Sequence, residues 1–262
     1  MKTALITGAS DGIGLELARV HAQNGHRLIL VARRIDRLQA LQLEVQQSKP
    51  VSVHCIGLDL SIPDAAAELY QQVQTLGWPV DFLINNAGVG VYGAFASSDW
   101  SKTAAMIDLN IRSLTQLAHL FLPGMIAQGG GRIMNVASTA AFQPGPGMSV
   151  YFATKAYVLH FSEALHHENY RKGVRVTALC PGPTRSGFGE AMMAPGQNVP
   201  AFLLSRRIPD SASVARYAYK AMMRGDAVAI HGLMNRIMAA SIGLFPRRLV
   251  TRIAAGLTGV KA

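Results

Sequence analysis

Six short apolar runs, separated by stretches of helical pattern, constrain the fold of this chain more than any other feature. The runs cover residues 2–7, 27–32, 51–56, 80–85, 132–137 and 174–179. Helical patterns lie near residues 13–24, 36–46, 63–75, 99–127, 149–172 and 211–224. Strands that are apolar at nearly every position are typical of a parallel sheet with helices on both faces. The sequence therefore predicts an α/β fold with a doubly wound parallel sheet.

The length of the chain fits one domain. It has 262 residues, of which 50% are hydrophobic, so it can bury a large core. We expect a single domain over residues 1–262. The regular alternation stops after residue 180, and the proline- and glycine-rich stretch 181–209 is typical of a lid or of a disordered segment, of which we favour a lid over the active site. Residues 233–262 carry two short helical patterns separated by Pro246, and we expect a C-terminal helical extension there.

A glycine-rich turn, TGASDGIG at residues 7–14, joins the first apolar run to the first helical pattern. Gly8 allows a tight turn, Gly12 leaves room for a pyrophosphate, and Gly14 lets the helix pack on the sheet. The helix N-terminus offers unpaired N–H groups to the anion. Because the turn lies between a strand and a helix, it predicts a Rossmann-type dinucleotide site. The predicted contacts are Gly8, Ser10, Asp11, Gly12, Ile13 and Gly14.

The end of the second run indicates which dinucleotide binds. Ala32 stands where an acid would take the ribose hydroxyls of NAD, and Arg33 and Arg34 follow it. A guanidinium matches a phosphate in shape and charge, so the sequence favours NADP. The alternative is that one of these arginines, Arg34 more than Arg33, only faces solvent. An NAD-linked dehydrogenase therefore stays open.

Three side chains form the candidate catalytic group. Tyr151 and Lys155 are four residues apart in a helical pattern, so they project from one face. Ser138 follows the run 132–137, at the sheet edge where ligands bind. We expect Tyr151 to act as general acid or base on a carbonyl or alcohol, Lys155 to lower the pKa of its phenol, and Ser138 to hold the oxygen. Taken singly, such a Tyr and Lys would more often be a surface pair.

Taken in order, these motifs resemble the short-chain dehydrogenase/reductase family over residues 2–185, and Arg33 matches its NADP-preferring branch. The motifs are Thr7–Gly14, Asp59–Leu60, Asn85–Gly88, Asn110, Ser138, Tyr151–Lys155 and Pro181–Gly182. The resemblance implies that Asn110 anchors a water that relays protons to Lys155. It also implies further cofactor contacts from Asp59, Leu60, Asn86, Ala87, Gly88, Tyr151, Lys155, Pro181, Gly182 and Thr184.

Two features depart from the family pattern. Asp11 stands where many NADP-preferring members carry a basic or neutral residue, which removes one phosphate contact. Residues 229–257 lack the glycine-rich terminal strand of many tetrameric members, so a homo-oligomer is left open.

The predicted substrate is a small molecule with a carbonyl or alcohol group. Apolar residues beside the motifs are predicted to line its pocket: Val91, Phe142, Met148 and Phe188. They leave its identity and the physiological direction of the reaction open.

The net charge of +10 admits two interpretations. Most basic residues would form a solvated surface. Alternatively, the basic C-terminal helices contact an anionic membrane or a partner, and the chain is a non-catalytic NADP(H) sensor. The intact Ser, Tyr, Lys and Asn set favours an enzyme. We expect no nucleic-acid partner.

The sequence indicates no metal site, no targeting segment and no membrane-spanning segment. The histidines lack paired-ligand spacing, so we predict no metal site. The N-terminus carries no signal-peptide pattern, and no apolar run reaches the length of about 18 residues that a spanning helix needs. These features predict a cytoplasmic protein.

Overall fold

The computed structural model describes residues 1–193 and 208–259. Within them, seven strands form one parallel sheet, in the order β3-β2-β1-β4-β5-β6-β7. The strands are β1 Thr3–Thr7, β2 Arg27–Ala32, β3 Val53–Gly57, β4 Phe82–Asn85, β5 Gly131–Val136, β6 Val174–Cys180 and β7 Val228–Ile230. The order reverses between β1 and β4, and ligands of such sheets bind outside the carboxyl ends of the strands at this point.

The doubly wound parallel sheet predicted from the sequence is confirmed. The six apolar runs correspond to β1 to β6, shifted by one or two residues at their ends. The seventh strand was not predicted, because its three residues are too few to show a pattern. It pairs with β6 through Ala178 and Val228.

Helices connect the strands and cover both faces of the sheet. They are α1 Gly12–Gln23, α2 Ile35–Ser48, α3 Ala65–Leu76, α4 Trp100–Ile107, α5 Leu114–Ala127, α6 Ser149–Asn169, α7 Phe188–Ala191, α8 Ser211–Arg224, α9 Leu233–Ser241 and α10 Arg247–Thr258. A π-helical segment, Asp108–Ser113, joins α4 to α5. Such widened turns occur often at functional sites.

The core lies on the two faces of the sheet. One buried cluster contains Ile6 of β1 and Leu17 of α1 together with residues of α2 and α8. The other contains Leu5 of β1 with Leu69 of α3 and Leu117 of α5. Neighbouring residues of one strand thus point to opposite sides, and both sides are apolar, which explains why the runs are apolar throughout.

The last described segment contains α9, a 3₁₀ turn at Ile242–Leu244, and α10, which starts after Pro246. This agrees with the two helical patterns predicted there. The predicted lid, 181–209, is only partly covered, because residues 194–207 lie outside the described residues. Within the described ranges, no helix is both long enough and apolar enough to cross a membrane.

Candidate active site

The glycine-rich turn is tied to the end of β4 by Thr7 and Asn86. The Thr7 hydroxyl oxygen accepts from the backbone N–H groups of Asn86 and Ala87, both at 3.0 Å. The Asn86 amide donates to the carbonyl oxygens of Thr7 at 2.9 Å and Gly8 at 3.1 Å. Asn86, predicted to contact the cofactor, therefore holds the turn itself in shape. Its partner is Thr7, which the sequence analysis placed in the family motif but did not name as a cofactor contact.

Two glycines are required by this close packing. Gly8 has φ +67°, and a Cβ there would lie 2.9 Å from the Cα of Ala87. A Cβ on Gly14 would collide with the Gly8 carbonyl and the Asn86 amide. Contacts within the protein therefore require glycine at both positions, whether or not a cofactor approaches the turn.

The start of α1 faces the segment that follows β6. Gly12 has φ +57°, and a Cβ there would lie 3.0 Å from the Cβ of Ser186. Asp11 caps α1, since its Oδ1 accepts from the Gly12 N–H at 2.7 Å. Its carboxylate is therefore committed to the helix end, and Ile13 packs against the core. Of the cofactor contacts predicted in this turn, Asp11 and Ile13 have side chains that already contact other parts of the protein.

Two guanidinium groups lie at the open side of the turn. Arg34 donates to the Ser10 hydroxyl at 3.2 Å, and Arg33 lies 3.8 Å from the Asp59 carboxylate. The other Asp59 oxygen accepts from the backbone and hydroxyl of Ser61. Leu60 is buried in the core cluster that contains Leu5 and Leu69. Both arginines are exposed, and together with Ser10 they suit a phosphate group.

Tyr151 and Lys155 lie in the first two turns of α6, with side chains buried to 8% and 5% exposure. The Lys155 Nζ is 5.8 Å from the centroid of the Tyr151 ring and donates to the Val136 carbonyl at 2.7 Å. Ser138 follows β5, accepts from the Ala140 N–H at 3.1 Å and donates to the Pro181 carbonyl at 3.5 Å, and its hydroxyl is close enough to Tyr151 to lower the pKa of the phenol. The three predicted catalytic side chains therefore meet at the carboxyl edge of the sheet.

Burial dominates the protonation of this group. It raises the pKa of the Tyr151 phenol to about 12, although the Ser138 hydrogen bond acts in the opposite direction. Burial also lowers the pKa of Lys155 to about 8. The sequence analysis expected Lys155 to lower the pKa of Tyr151. In the structure, burial of the phenol is the larger influence, and it holds the pKa above its ordinary value.

Asn110 lies in the π-helical segment and is buried. Its amide donates to the Val89 carbonyl at 2.9 Å and to the Thr154 hydroxyl at 3.1 Å, and its Oδ1 accepts from the Val89 N–H at 3.0 Å. An asparagine amide has two donors, and both are used here. Asn110 therefore positions the backbone after Gly88. Because both amide donors are in use, a water that relays protons here would have to donate to Asn110.

Gly88 lies close to both Asn110 and Lys155. A Cβ on Gly88 would lie 3.2 Å from the Asn110 Oδ1 and 3.4 Å from the Lys155 Nζ. Thr154, which sequence reasoning missed, bonds the Asn110 amide and donates to the Tyr151 carbonyl at 2.8 Å. Its place directly before Lys155 was the signal that could have identified it.

An apolar cluster surrounds the phenol. Met148 and Tyr151 are buried in it with Met106, Ala140 and Met192, and Val91 and Phe188 pack against it. The ring centroids of Phe188 and Tyr151 are 5.7 Å apart. The predicted pocket residues Val91, Met148 and Phe188 thus lie around the phenol, under the short helix α7.

Phe142 does not belong to this cluster. It packs against a different group of buried residues that includes Val158 and Leu159. It also lines a groove of about 790 Å³ between α6 and the C-terminal helices, together with Phe152 and Phe245. Phe142 ends the turn after Ser138 and packs in a different cluster from Tyr151, so its contact with a substrate stays a prediction.

The segment after β6 closes the site on the other side. The Pro181 carbonyl accepts from the Thr139 N–H at 2.9 Å, and the Gly182 carbonyl accepts from the Thr184 hydroxyl at 3.0 Å. A Cβ on Gly182 would lie 2.6 Å from the Nδ2 of Asn235 in α9. Asn235 was missed by sequence reasoning, because nothing in the local sequence of α9 indicates this long-range contact.

Comparison with known proteins gives consistent matches. Residues 2–195 match the sequence model of the short chain dehydrogenase family. The NADP-dependent 3-hydroxy acid dehydrogenase YdfG of Salmonella typhimurium is 38% identical over 182 residues, which cover 68% of this chain and 71% of that protein.

Solved structures agree with this. A short-chain dehydrogenase from Sphingobium yanoikuyae in complex with NADPH has a TM-score of 0.81 and 32% identity, covering 93% of this chain and 95% of that one. The bulky-bulky ketone specific alcohol dehydrogenase from Comamonas testosteroni has a TM-score of 0.78 and 32% identity, covering 93% of both chains.

Proposed function

Because the chain belongs to the short-chain dehydrogenase/reductase family, we propose that it uses NADP(H) to interconvert a carbonyl group and a secondary alcohol on an apolar substrate. The observation that carries this proposal is the position of the Tyr151 phenol, which is buried beside Lys155 and Ser138 and covered by apolar side chains. The chain is an oxidoreductase enzyme by its family, and the substrate class and cofactor choice are our inference.

The residues of the site divide the chemistry between them. When bound, the nicotinamide cofactor supplies a hydride for the carbonyl carbon. The Ser138 hydroxyl donates a hydrogen bond to the carbonyl oxygen and orients it beside the phenol. Tyr151 gives its phenolic proton to that oxygen, which becomes the alcohol, and the phenolate left behind faces the Lys155 ammonium. In the reverse direction the phenolate takes the proton back.

The protonation state of the site supports reduction at neutral pH. With a pKa of about 12, Tyr151 holds its proton and is ready to act as an acid. With a pKa of about 8, Lys155 is mostly charged at neutral pH and can stabilise the phenolate as it forms. Oxidation of an alcohol would need the phenolate, which is scarce at that pH.

Arg33 and Arg34 support the choice of NADP(H). They follow β2 at the edge of the cleft, and Arg34 reaches the Ser10 hydroxyl in the glycine-rich turn. A 2′-phosphate there would meet two guanidinium groups, of which that of Arg33 lies 3.8 Å from the Asp59 carboxylate. The relatives that are described as NADP-dependent or as NADPH complexes point the same way.

The lining of the site supports an apolar substrate. Val91, Met148, Phe188 and Met192 surround the phenol, and thioether side chains adapt to irregular ligands. A bulky ketone is one such ligand, and it is the substrate class named for the Comamonas enzyme.

The test is the initial rate of NADPH and NADH oxidation with a panel of apolar ketones, aldehydes and quinones. We expect turnover with NADPH that disappears in Tyr151→Phe, because the variant lacks only the hydroxyl. Tyr157→Phe is the matched control, since Tyr157 lies on the same helix with its hydroxyl near Thr115, at 2.9 Å. Full activity in Tyr151→Phe would contradict the proposal, and equal or faster turnover with NADH would contradict the cofactor choice.

A further inference from the structure

Helix α10 buries small side chains and exposes large ones. Its inner face consists of Val250, Ala254 and Thr258. Directly beside this face, Leu249, Ile253 and Leu257 are exposed at 42%, 57% and 56%. Their spacing of four residues places them in one line along the helix. We call these three residues the α10 stripe.

Apolar exposure continues through the preceding segment. Leu244 and Phe245, in the connection between α9 and α10, are exposed at 82% and 51%. In α9, Leu233, Met234 and Ile237 are exposed as well. Exposed large apolar side chains concentrated in one segment are typical of a contact surface.

The charge of this segment has one sign. Residues 227–262 contain no Asp or Glu, and they contain Arg236, Arg247, Arg248, Arg252 and Lys261. Arg248 and Arg252 each stand one position before a member of the α10 stripe, so they line its edge. Across the described ranges 1–193 and 208–259, Arg247, Arg248 and Arg252 form no ion pair.

The positive charge of this segment favours one binding partner over another for the α10 stripe. In a two-fold dimer the same patch meets itself, so the arginines of one copy would face those of the other without any acid between them. An anionic lipid surface has the opposite property. Its headgroup phosphates pair with guanidinium groups, and the boundary below them accepts Leu, Ile and Phe side chains. We propose that α10, with the connection before it, binds peripherally to anionic lipid membranes.

A bound membrane would lie close to the substrate site. The Tyr92 hydroxyl donates to the Thr258 carbonyl at the end of α10, at 2.6 Å. The backbone N–H of the same residue donates to the Met192 carbonyl, at 3.3 Å. Tyr92 therefore links α10 to the residues that cover Tyr151. Docking at α10 would bring an apolar site next to the phase in which apolar substrates dissolve.

The experiment is co-sedimentation of the full chain with phosphatidylcholine vesicles, with and without phosphatidylserine. We expect binding only when phosphatidylserine is present, and weaker binding at high salt. Arg248→Gln combined with Arg252→Gln should lower the partition coefficient about 30-fold. Ile253→Gln combined with Leu257→Gln should also weaken binding, because the apolar line is lost.

The matched control is Arg171→Gln combined with Arg216→Gln. It removes the same charge from two exposed positions outside the C-terminal segment, and we expect unchanged binding. Circular dichroism checks that each variant is folded. No sedimentation with anionic vesicles, or an equal loss in the control, would overturn the proposal. It would also be overturned by a lipid-free dimer that Ile253→Gln with Leu257→Gln dissociates, since a second copy would then cover the stripe.

Discussion

Helices α6 and α10 have similar apolar spacing and opposite environments. α6 lies against β5, β6 and the π-helical segment, and it buries large side chains such as Leu159 together with Tyr151 and Lys155. α10 buries Val250, Ala254 and Thr258 and leaves its larger side chains in solvent. The comparison teaches that an apolar line on a helix becomes core only where other elements cover it. Elsewhere it remains available for contact.

The largest expected effect is the loss of kcat when the charge of Lys155 on α6 is removed. Lys155→Met keeps the length of the buried chain and removes the ammonium, so the phenolate formed during reduction loses its stabilising charge. We expect kcat to fall by about 10²- to 10⁴-fold. Lys220→Met, at an exposed position on α8, should leave kcat unchanged. A near-normal kcat in Lys155→Met would contradict the proposal that the Lys155 ammonium stabilises the phenolate.

A matched pair of truncations compares the packing of the two helices. Leu159 of α6 is 3% exposed and Leu257 of α10 is 56% exposed. We expect Leu159→Ala to lower the free energy of unfolding by about 2–5 kcal/mol, because it leaves a cavity. Leu257→Ala should cost under about 0.5 kcal/mol. Urea denaturation measures both, and similar losses would show that α10 is part of the core.

The arginines of the two regions should also differ. Arg33→Ser removes a guanidinium from the predicted phosphate site, and we expect the Kd for NADPH to rise about tenfold while the Kd for NADH stays the same. Arg248→Ser removes one from α10 and should change neither value. Titration of NADPH fluorescence gives both constants. A loss of NADPH affinity in Arg248→Ser would place the cofactor phosphate elsewhere.

The smallest expected effect is the pH dependence of reduction. Lys155 has a pKa lowered to about 8, so it is charged below that pH and neutral above it. We expect the kcat of ketone reduction to decline as the pH rises through about 8, while alcohol oxidation increases because more phenolate forms. Arg248→Gln with Arg252→Gln should keep the same profile. A flat profile between pH 7 and about 9 would show that the charge of Lys155 is not used.

Most of the sheet could be predicted from the sequence, because its strands are buried on both faces and are therefore apolar at nearly every position. β7 could not, since Val228–Ile230 is stabilised by pairing with β6 rather than by its own pattern. The π-helical segment around Asn110 is likewise set by contacts with Val89 and Thr154, which lie 21 and 44 residues away in the sequence.

The sequence predicted which side chains meet in the candidate site better than it predicted how deeply they are buried. The sequence brought Ser138, Tyr151 and Lys155 together through known spacing, but it could not show how deeply the phenol is buried. Burial therefore raises the pKa of Tyr151, an effect that the spacing of Tyr151 and Lys155 could not predict. For a related reason, adjacency to Ser138 in the chain could not show that Phe142 packs in a different cluster from the other predicted pocket residues.

The most direct test is a single-turnover experiment on Tyr151→Phe with NADPH and a ketone that the wild type reduces. NADPH fluorescence reports cofactor binding and hydride transfer in the same sample. We predict an unchanged Kd for NADPH and a rate of hydride transfer lower by about 10²- to 10⁴-fold, because the proton for the carbonyl oxygen is missing. Hydride transfer at the wild-type rate would contradict the account, since it would show that the proton comes from another group.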